Sequence, residues 1–322
     1  VPAIAITGAT GFLGGAICRR LLAEGQPVVA LGRDRRKLAA LQALGACTVE
    51  SDLADGPPAL AGEIKAVVHC AALSSAWGPR AEFQAANVRG TESALSMART
   101  AGAKRFVHIS TPSLYVRFRD QPGMTEDEVL PPPVNDYAAT KRIAEELVRT
   151  EAALDCIILR PRGIYGAGDT ALLPRLLRAA TAGPLPLVRG GQAETDLTYV
   201  DDVVDAVLAA LAAPLNLAER VFNISGGEPL PVRRIAEAAG LRAGTTVRWR
   251  KVPATALLGT ARVLEAAAYL QPARPEPRVT AYGAGLFAFT QTLDLTAARR
   301  QLAWTPKIRF EEGLSRTFGA HP

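Results

Sequence analysis

Six short apolar runs, separated by amphipathic stretches, fill the first 165 residues of this chain and leave few ways for it to fold. The runs span residues 3–7, 27–31, 48–50, 66–70, 106–110 and 156–160. Helical patterns lie between most of them, at 14–24, 35–44, 83–101 and 136–152. Alternation of this kind lays successive strands side by side and parallel, with the connecting helices covering both faces. A near-continuous run such as Ala66-Val-Val-His-Cys70 suits a strand buried on both sides. The expected class is α/β, a doubly wound parallel sheet.

After Tyr165 the pattern changes. Proline and glycine become frequent, as in Gly183-Pro-Leu-Pro186, Gly226-Gly-Glu-Pro229 and from Pro272 to Pro277, and periodic segments shorten. This predicts a smaller substrate-binding domain from residues 166–194 and 225–322, set on a nucleotide-binding domain of residues 1–165 and 195–224. Residues 254–270 read as a helix with apolar positions 257, 261, 264 and 268. Packing on its own domain is the expected use of that face; a lid over a greasy pocket or shallow peripheral membrane contact is the alternative.

Composition narrows the function classes. Of 322 residues, 48% are hydrophobic and 21% charged, as in a globular protein. No run reaches the roughly 20 apolar residues of a membrane span, and the first strand has no basic leader before it. A cytoplasmic location is therefore expected. Cys18, Cys47, Cys70 and Cys156 are scattered and read as buried reduced thiols. His69, His108 and His321 sit in no metal motif, so no metal is expected, and the first two are assigned to packing. The net charge of +6 is uneven: residues 233–309 hold 13 Lys/Arg against four Asp/Glu. A solvated basic surface is the simplest reading, and an acidic substrate or anionic membrane surface the sharper one. Nucleic acid is not expected, because no basic-aromatic or helix-turn-helix pattern accompanies the charge.

The first strand runs into Gly8-Ala-Thr10-Gly11-Phe12-Leu13-Gly14 and then a helix. Strand, glycine turn and helix N-terminus form a phosphate cradle, with glycines allowing close backbone approach to a pyrophosphate. The end of the second strand selects the dinucleotide. NAD binders place a carboxylate there for the ribose 2′-hydroxyl, and NADP binders a cation for the 2′-phosphate. Counted from the glycines, that site falls on Gly32, with Arg33 next and Asp34 read as a cap on the following helix. The expected cofactor is NADP, with NAD as the alternative.

Far downstream stands Tyr137-Ala-Ala-Thr-Lys141. Residues four apart share a helical face, where an ammonium favours a phenolate. A free tyrosine has a pKa of about 10, too high for ready exchange near neutrality. Lys141 and the positive nicotinamide of an oxidised cofactor are both expected to lower it. Tyr137 would then give a proton when a ketone is reduced and take one when an alcohol is oxidised.

The glycine loop, Asp52-Leu53, His69-Cys-Ala71-Ala72, Asn87-Val-Arg-Gly-Thr91, Ser110-Thr-Pro-Ser113, the Tyr137/Lys141 pair, Arg160-Pro161-Arg-Gly163-Ile164-Tyr165-Gly166 and Thr198-Tyr-Val-Asp-Asp202 follow one another in that order. With them the chain resembles the extended short-chain dehydrogenase/reductases, the NAD-dependent epimerase/dehydratase superfamily, over nearly its whole length. Ser110-Thr-Pro-Ser113, Leu172-Leu-Pro-Arg175, Phe222-Asn-Ile-Ser-Gly-Gly-Glu-Pro229 and Trp304-Thr-Pro306 make it most similar to the 3β-hydroxysteroid dehydrogenase-like branch. Ala76-Trp77-Gly78 and the stretch from Asp136 to Lys141 resemble its 2-alkyl-3-oxoalkanoate reductases.

The resemblance implies a Rossmann domain and a homodimer. It implies that Asp52 and Leu53 contact adenine, that Ala71 and Ala72 line the cofactor groove, and that Lys141 also binds the nicotinamide ribose. Pro161, Gly163 and Ile164 would lie beside the nicotinamide. The catalytic Ser/Thr maps onto Thr111, with Ser110 and Ser113 as alternatives. The implied activity is NAD(P)-dependent hydride transfer at a hydroxyl/ketone of a small hydrophobic substrate, a β-keto acid or a sterol-like alcohol. A nucleotide-sugar epimerase or dehydratase uses the same pair, but such enzymes usually carry Arg where this chain has Glu194-Thr195. A non-catalytic cofactor sensor would need only the nucleotide site. Trp77, Tyr165, Leu172 and Leu173 are candidates for either an apolar pocket wall or core. Arg175 would either meet a substrate carboxylate or sit on the surface.

Overall fold

The computed structural model of the chain describes residues 1–215, 217–271 and 274–319; His321 and Pro272 lie outside them. In chain order the first strands are β1 (Ala3–Thr7), β2 (Val28–Gly32), β3 (Cys47–Glu50), β4 (Ile64–His69), β5 (Arg105–Ile109), β6 (Gln121–Met124) and β7 (Asp155–Pro161). All but β6 join one parallel sheet, completed by Val221–Ile224, in the order (221–224)-β7-β5-β4-β1-β2-β3. The six predicted runs are these strands, with ends that coincide or differ by at most two residues. The doubly wound α/β architecture is borne out.

Side-chain alternation explains why the runs are apolar throughout. Ile4, Ile6, Ala66 and Val68 enter one core, while their neighbours Ala5 and Val67 enter the other. Successive strand residues point to opposite faces, so a strand covered on both sides has no polar face to spare. The first core is closed by α1 (Phe12–Ala23) and the helix Val200–Ala212, which pack on each other. The second is closed by α4 (Gly90–Thr100) and α5 (Asp136–Arg149). Between β2 and β3 runs α2 (Arg35–Ala43), capped by the Asp34 carboxylate, which accepts from the Lys37 N–H at 3.1 Å. A short α3 (Arg80–Phe83) leads into a π-helical turn, Gln84–Arg89, ahead of α4.

A second, four-stranded sheet has the order Leu230–Pro231, Glu194–Thr195, Gln291–Leu293, β6. β6 belongs to the first 165 residues by sequence yet pairs with Gln291–Leu293. The helix predicted over 254–270 is Ala254–Tyr269; Leu257, Ala261 and Ala268 face inward onto the neighbouring Ala281–Ala288 helix and its surroundings. Leu264, at 37% exposure, is exposed and departs from the expected inward face, and Val263 at 68% marks the outer side. No described helix is long and apolar enough to cross a membrane.

Arg160, on β7, is wholly buried. Its guanidinium pairs with Glu145 of α5 and donates to the Tyr115 hydroxyl, which donates in turn to Asn223 Oδ1 at 2.9 Å. Ser110 donates to the same carboxylate at 2.7 Å. This network locks α5 to β5, to β7 and to the strand holding Asn223. Cys47 is exposed, contrary to the expectation of four buried thiols, because β3 is an edge strand whose outer residues meet solvent.

Candidate active site

Every predicted cofactor residue of the glycine loop lies at the C-terminal end of β1, beside that of β4. Gly8 has φ +65°, and a Cβ there would stand 2.7 Å from the Ala71 nitrogen, so only glycine permits this approach of the two strand ends. The α1 N-terminus at Gly11 has no side-chain cap and no acidic residue in its first turn. Its free N–H groups and dipole suit a pyrophosphate. Ala71 is tied to Thr7 Oγ1 at 3.3 Å, and Ala72 follows it at the rim.

The ribose end is equally specific. A Cβ on Gly32 would lie 2.7 Å from Thr10 Oγ1 and 2.6 Å from Thr10 Cγ2, so a carboxylate at that position would require the Thr10 side chain to move. Asp34 is engaged in its cap. Arg33 is left, exposed and 3.2 Å from Asp52. Asp52 accepts from the Ala54 N–H at 3.0 Å, and that bond chiefly holds its carboxyl below the usual range. Leu53 is buried beneath it. Pro161 ends β7, and Gly163 and Ile164 follow it.

The acid/base pair sits on α5, whose first turn is capped by Asn135 through the Ala138 N–H at 2.8 Å. Lys141 is 2% exposed; Nζ donates to Ile109 O at 2.7 Å and faces His108 Nε2 at 3.3 Å. Burial lowers its pKa to about 8, against the pull of Glu145. The same burial, with Lys141 nearby, keeps His108 neutral, so Nε2 is placed to accept and Nδ1 carries the proton. His69 stacks on His108 at 5.4 Å and bonds Thr7 and Thr91. Both histidines pack, as expected, but His108 also seats the lysine.

Tyr137 is half-buried, and burial raises its pKa, with contacts to Thr111 and Ser74 pulling it down. The net shift is upward because burial outweighs these contacts, so the expected depression of the phenol is not seen in the protein alone. Thr111 begins a short 3-10 turn, accepting from the Ser113 N–H at 3.1 Å. Its hydroxyl donates to Ser113 Oγ at 3.0 Å, and Ser113 shares a 2.9 Å hydrogen bond with Tyr282. Asn87, in the π-helical turn, binds Thr140 Oγ1 at 3.0 Å and both polar atoms of the Leu73 peptide, fixing the loop that bears Ser74 to α5. The structure thus brings Tyr137, Thr111 and Lys141 to one end of the sheet, at the mouth of the glycine loop.

The substrate candidates divide. Trp77 stacks on Tyr269 at 4.5 Å and donates to Arg274 O at 3.0 Å, bridging the two parts of the chain beside the site. Tyr165 is core: it is 1% exposed, donates to Phe310 O at 3.2 Å and packs on Tyr199. Leu173 is likewise core, and Leu172 lies partly buried against it. Arg175 is half-exposed and pairs with Glu276, so its carboxylate partner is in its own chain.

Sequence reasoning missed Ser74, Tyr282 and Arg162. Tyr282 begins no motif and follows Tyr137 by 145 residues in an apolar helix of small residues, so only the fold reveals it. Arg162 stood inside a quoted motif without a role. Among the described residues no group of three His, Cys, Asp or Glu is placed to hold a metal.

The NAD dependent epimerase/dehydratase family profile matches residues 4–225. The chain is 35% identical over 326 residues to the 2-alkyl-3-oxoalkanoate reductase of Stenotrophomonas maltophilia, covering 97% of each chain. It is 33% identical over 327 residues to the 4-hydroxy-2-methyl-3-oxo-4-farnesyl-3,4-dihydroquinoline-1-oxide ketoreductase of Stigmatella aurantiaca, covering 98% of this chain and 96% of that one. Among solved structures, UDP-glucuronic acid 4-epimerase from Bacillus cereus, in complex with NAD, superposes with a TM-score of 0.73. That match covers 98% of this chain and 97% of the epimerase at 23% identity, and speaks to the fold alone. Fold and sequence agree: the chain belongs to the NAD-dependent epimerase/dehydratase family, the extended short-chain dehydrogenase/reductases.

Proposed function

We propose that this protein is an NADP-dependent ketoreductase that interconverts the ketone and secondary alcohol of a hydrophobic β-keto or β-hydroxy acid. The observation that carries this reading is the Tyr137 phenol set beside Thr111, with Lys141 buried one turn behind it. The nicotinamide, when bound, supplies or accepts the hydride. Thr111 holds the substrate oxygen, and Tyr137 gives it a proton in reduction or takes one in oxidation. Lys141, anchored by His108 and Ile109 O, keeps a positive charge on the Tyr137 face of α5. The alkyl and farnesyl groups named in the two relatives' substrates support a hydrophobic substrate here, and Trp77 with Tyr269 offers an aromatic surface for it.

Separate fluorescence titrations with NADPH and NADH, followed by turnover of medium-chain 3-hydroxy acids and of UDP-glucose, test the reading. Tighter NADH binding or turnover of the nucleotide sugar alone would overturn it. Arg33→Ala is expected to weaken NADPH by about 10- to 100-fold while leaving NADH nearly unchanged, the range for losing a charge-assisted hydrogen bond.

The Lys141 shift gives a second expectation. The ammonium is charged below pH about 8 in the free enzyme, so kcat/KM for the coenzyme should hold steady below that value and decline above it. Lys141→Met should be slow at every pH and lack this alkaline limb. Because the folded pKa lies under the ordinary 10.5, the unfolded chain binds the proton more tightly, and this group's contribution to stability rises between pH 8 and 10.5.

A further inference from the structure

Three arginines are nearly sealed from solvent: Arg105, Arg160 and Arg162. A buried guanidinium ordinarily requires a counter-charge. Arg105 has Asp155 at 2.6 Å, and Arg160 has Glu145. Arg162 forms no ion pair among the described residues. Its Nε donates to Thr195 Oγ1 at 3.0 Å and its Nη2 to Gln291 Oε1 at 2.8 Å, both neutral acceptors. Its Nη1 has no hydrogen-bond partner there. The acid that acts on it through space, Asp196, spends Oδ2 on the Leu293 N–H at 2.7 Å, and its other oxygen is buried without a hydrogen bond.

The position of this cation gives it a use. Arg162 is the first residue after β7, between Pro161 and Gly163, at the end of the sheet where the acid/base pair lies. Tyr282, which shares a 2.9 Å hydrogen bond with Ser113, also acts electrostatically on Arg162. A line of hydrogen-bonded hydroxyls, Thr111, Ser113 and Tyr282, therefore begins beside Tyr137 and ends within electrostatic reach of the guanidinium. In a β-hydroxy acid a single carbon separates the reacting carbon from the carboxylate. A molecule whose alcohol is held at Tyr137 and Thr111 thus carries an anion a short step away.

We propose that Arg162 and Tyr282 receive the carboxylate of a β-hydroxy or β-keto acid while Tyr137 and Thr111 hold its reacting oxygen. This rests on the ketoreductase reading and adds that the substrate is recognised as an anion. The cation, which Asp196 reaches only through space, then gains a directly bonded counter-charge from the substrate, and neutral analogues leave it without one.

The test compares 3-hydroxydodecanoic acid with its methyl ester, both as NADP⁺-dependent substrates and as ligands in thermal unfolding. The wild type should prefer the acid by about 100-fold in kcat/KM, as expected for a charge-assisted contact made in a dry site. In Arg162→Gln that preference should collapse to near unity, and the acid should no longer raise the melting temperature. Tyr282→Phe, a milder change that keeps the ring, should reduce the preference by about tenfold. Equal handling of acid and ester by the wild type, or an Arg162→Gln variant that slows both while keeping their ratio, would overturn the proposal. If neither compound turns over yet the acid alone stabilises the wild type and not Arg162→Gln, the reaction assignment fails and the carboxylate site stands.

Discussion

Tyr137→Phe should lower kcat by about 10³-fold, within the range that a positioned general acid contributes. The phenyl ring keeps its contact with Phe83, whose ring centre lies 6.4 Å away, so the fold and coenzyme affinity should survive. On the proposed mechanism, what disappears is the proton donor, and with it one of the hydroxyls facing the substrate oxygen. Steady-state kinetics with a coenzyme titration separates the two effects: a drop in kcat with an unchanged coenzyme dissociation constant is expected. Full turnover in the phenylalanine variant would remove Tyr137 from the mechanism. Since burial raises the phenol's pKa in the protein alone, its activation on the proposed mechanism draws on the positive ring of an oxidised cofactor. The alkaline activation of alcohol oxidation should therefore be visible in the coenzyme complex.

The largest stability effect should come from Glu145, which touches no substrate. Replacing it with leucine leaves the Arg160 guanidinium buried beside Tyr115 with no counter-charge, and removes the acceptor for Ser110. Breaking a buried pair from one side costs about 3–5 kcal/mol. Urea unfolding should show this as a lower midpoint at similar slope. A Glu145→Leu/Arg160→Met double variant should recover part of the loss, since an apolar pair carries no stranded charge. If the single variant unfolds like the wild type, the network contributes nothing to stability. Activity should fall with it, because Glu145 lies one turn beyond Lys141 on the helix that presents Tyr137.

How much of this was legible in the sequence follows from how local each signal is. The strands of the large sheet announce themselves because burial on both faces forces an apolar run, and the glycine turn because Gly8 cannot carry a side chain against Ala71. Asp34 could be read as a cap from its place before Arg35. Tyr137 and Lys141 were visible for the same reason, being one helical turn apart. The pKa of Tyr137 was not, because its direction depends on how deeply the ring is buried and on what else claims the lysine. Arg175 and Tyr165 illustrate the other limit: one meets Glu276, a hundred residues later, and the other disappears beneath Phe310. Arg162 and Tyr282 lie 120 residues apart, so no local pattern joins them. Strand β6 shows the same limit, since its partner comes late in the chain.

That late partner has a consequence for how the protein is made. Gln291–Leu293 is nearly the last strand to be synthesised, yet it is an inner strand, paired with Glu194–Thr195 on one side and β6 on the other. Until it emerges, the two neighbours present facing rows of unpaired N–H and C=O groups, the kind of edge that recruits foreign strands. Gln291 is also the acceptor that orients Arg162. A growing chain can therefore complete its large parallel sheet early and still hold an unfinished gap in the second one. That gap closes only when the final tenth of the polypeptide arrives and slides into the middle.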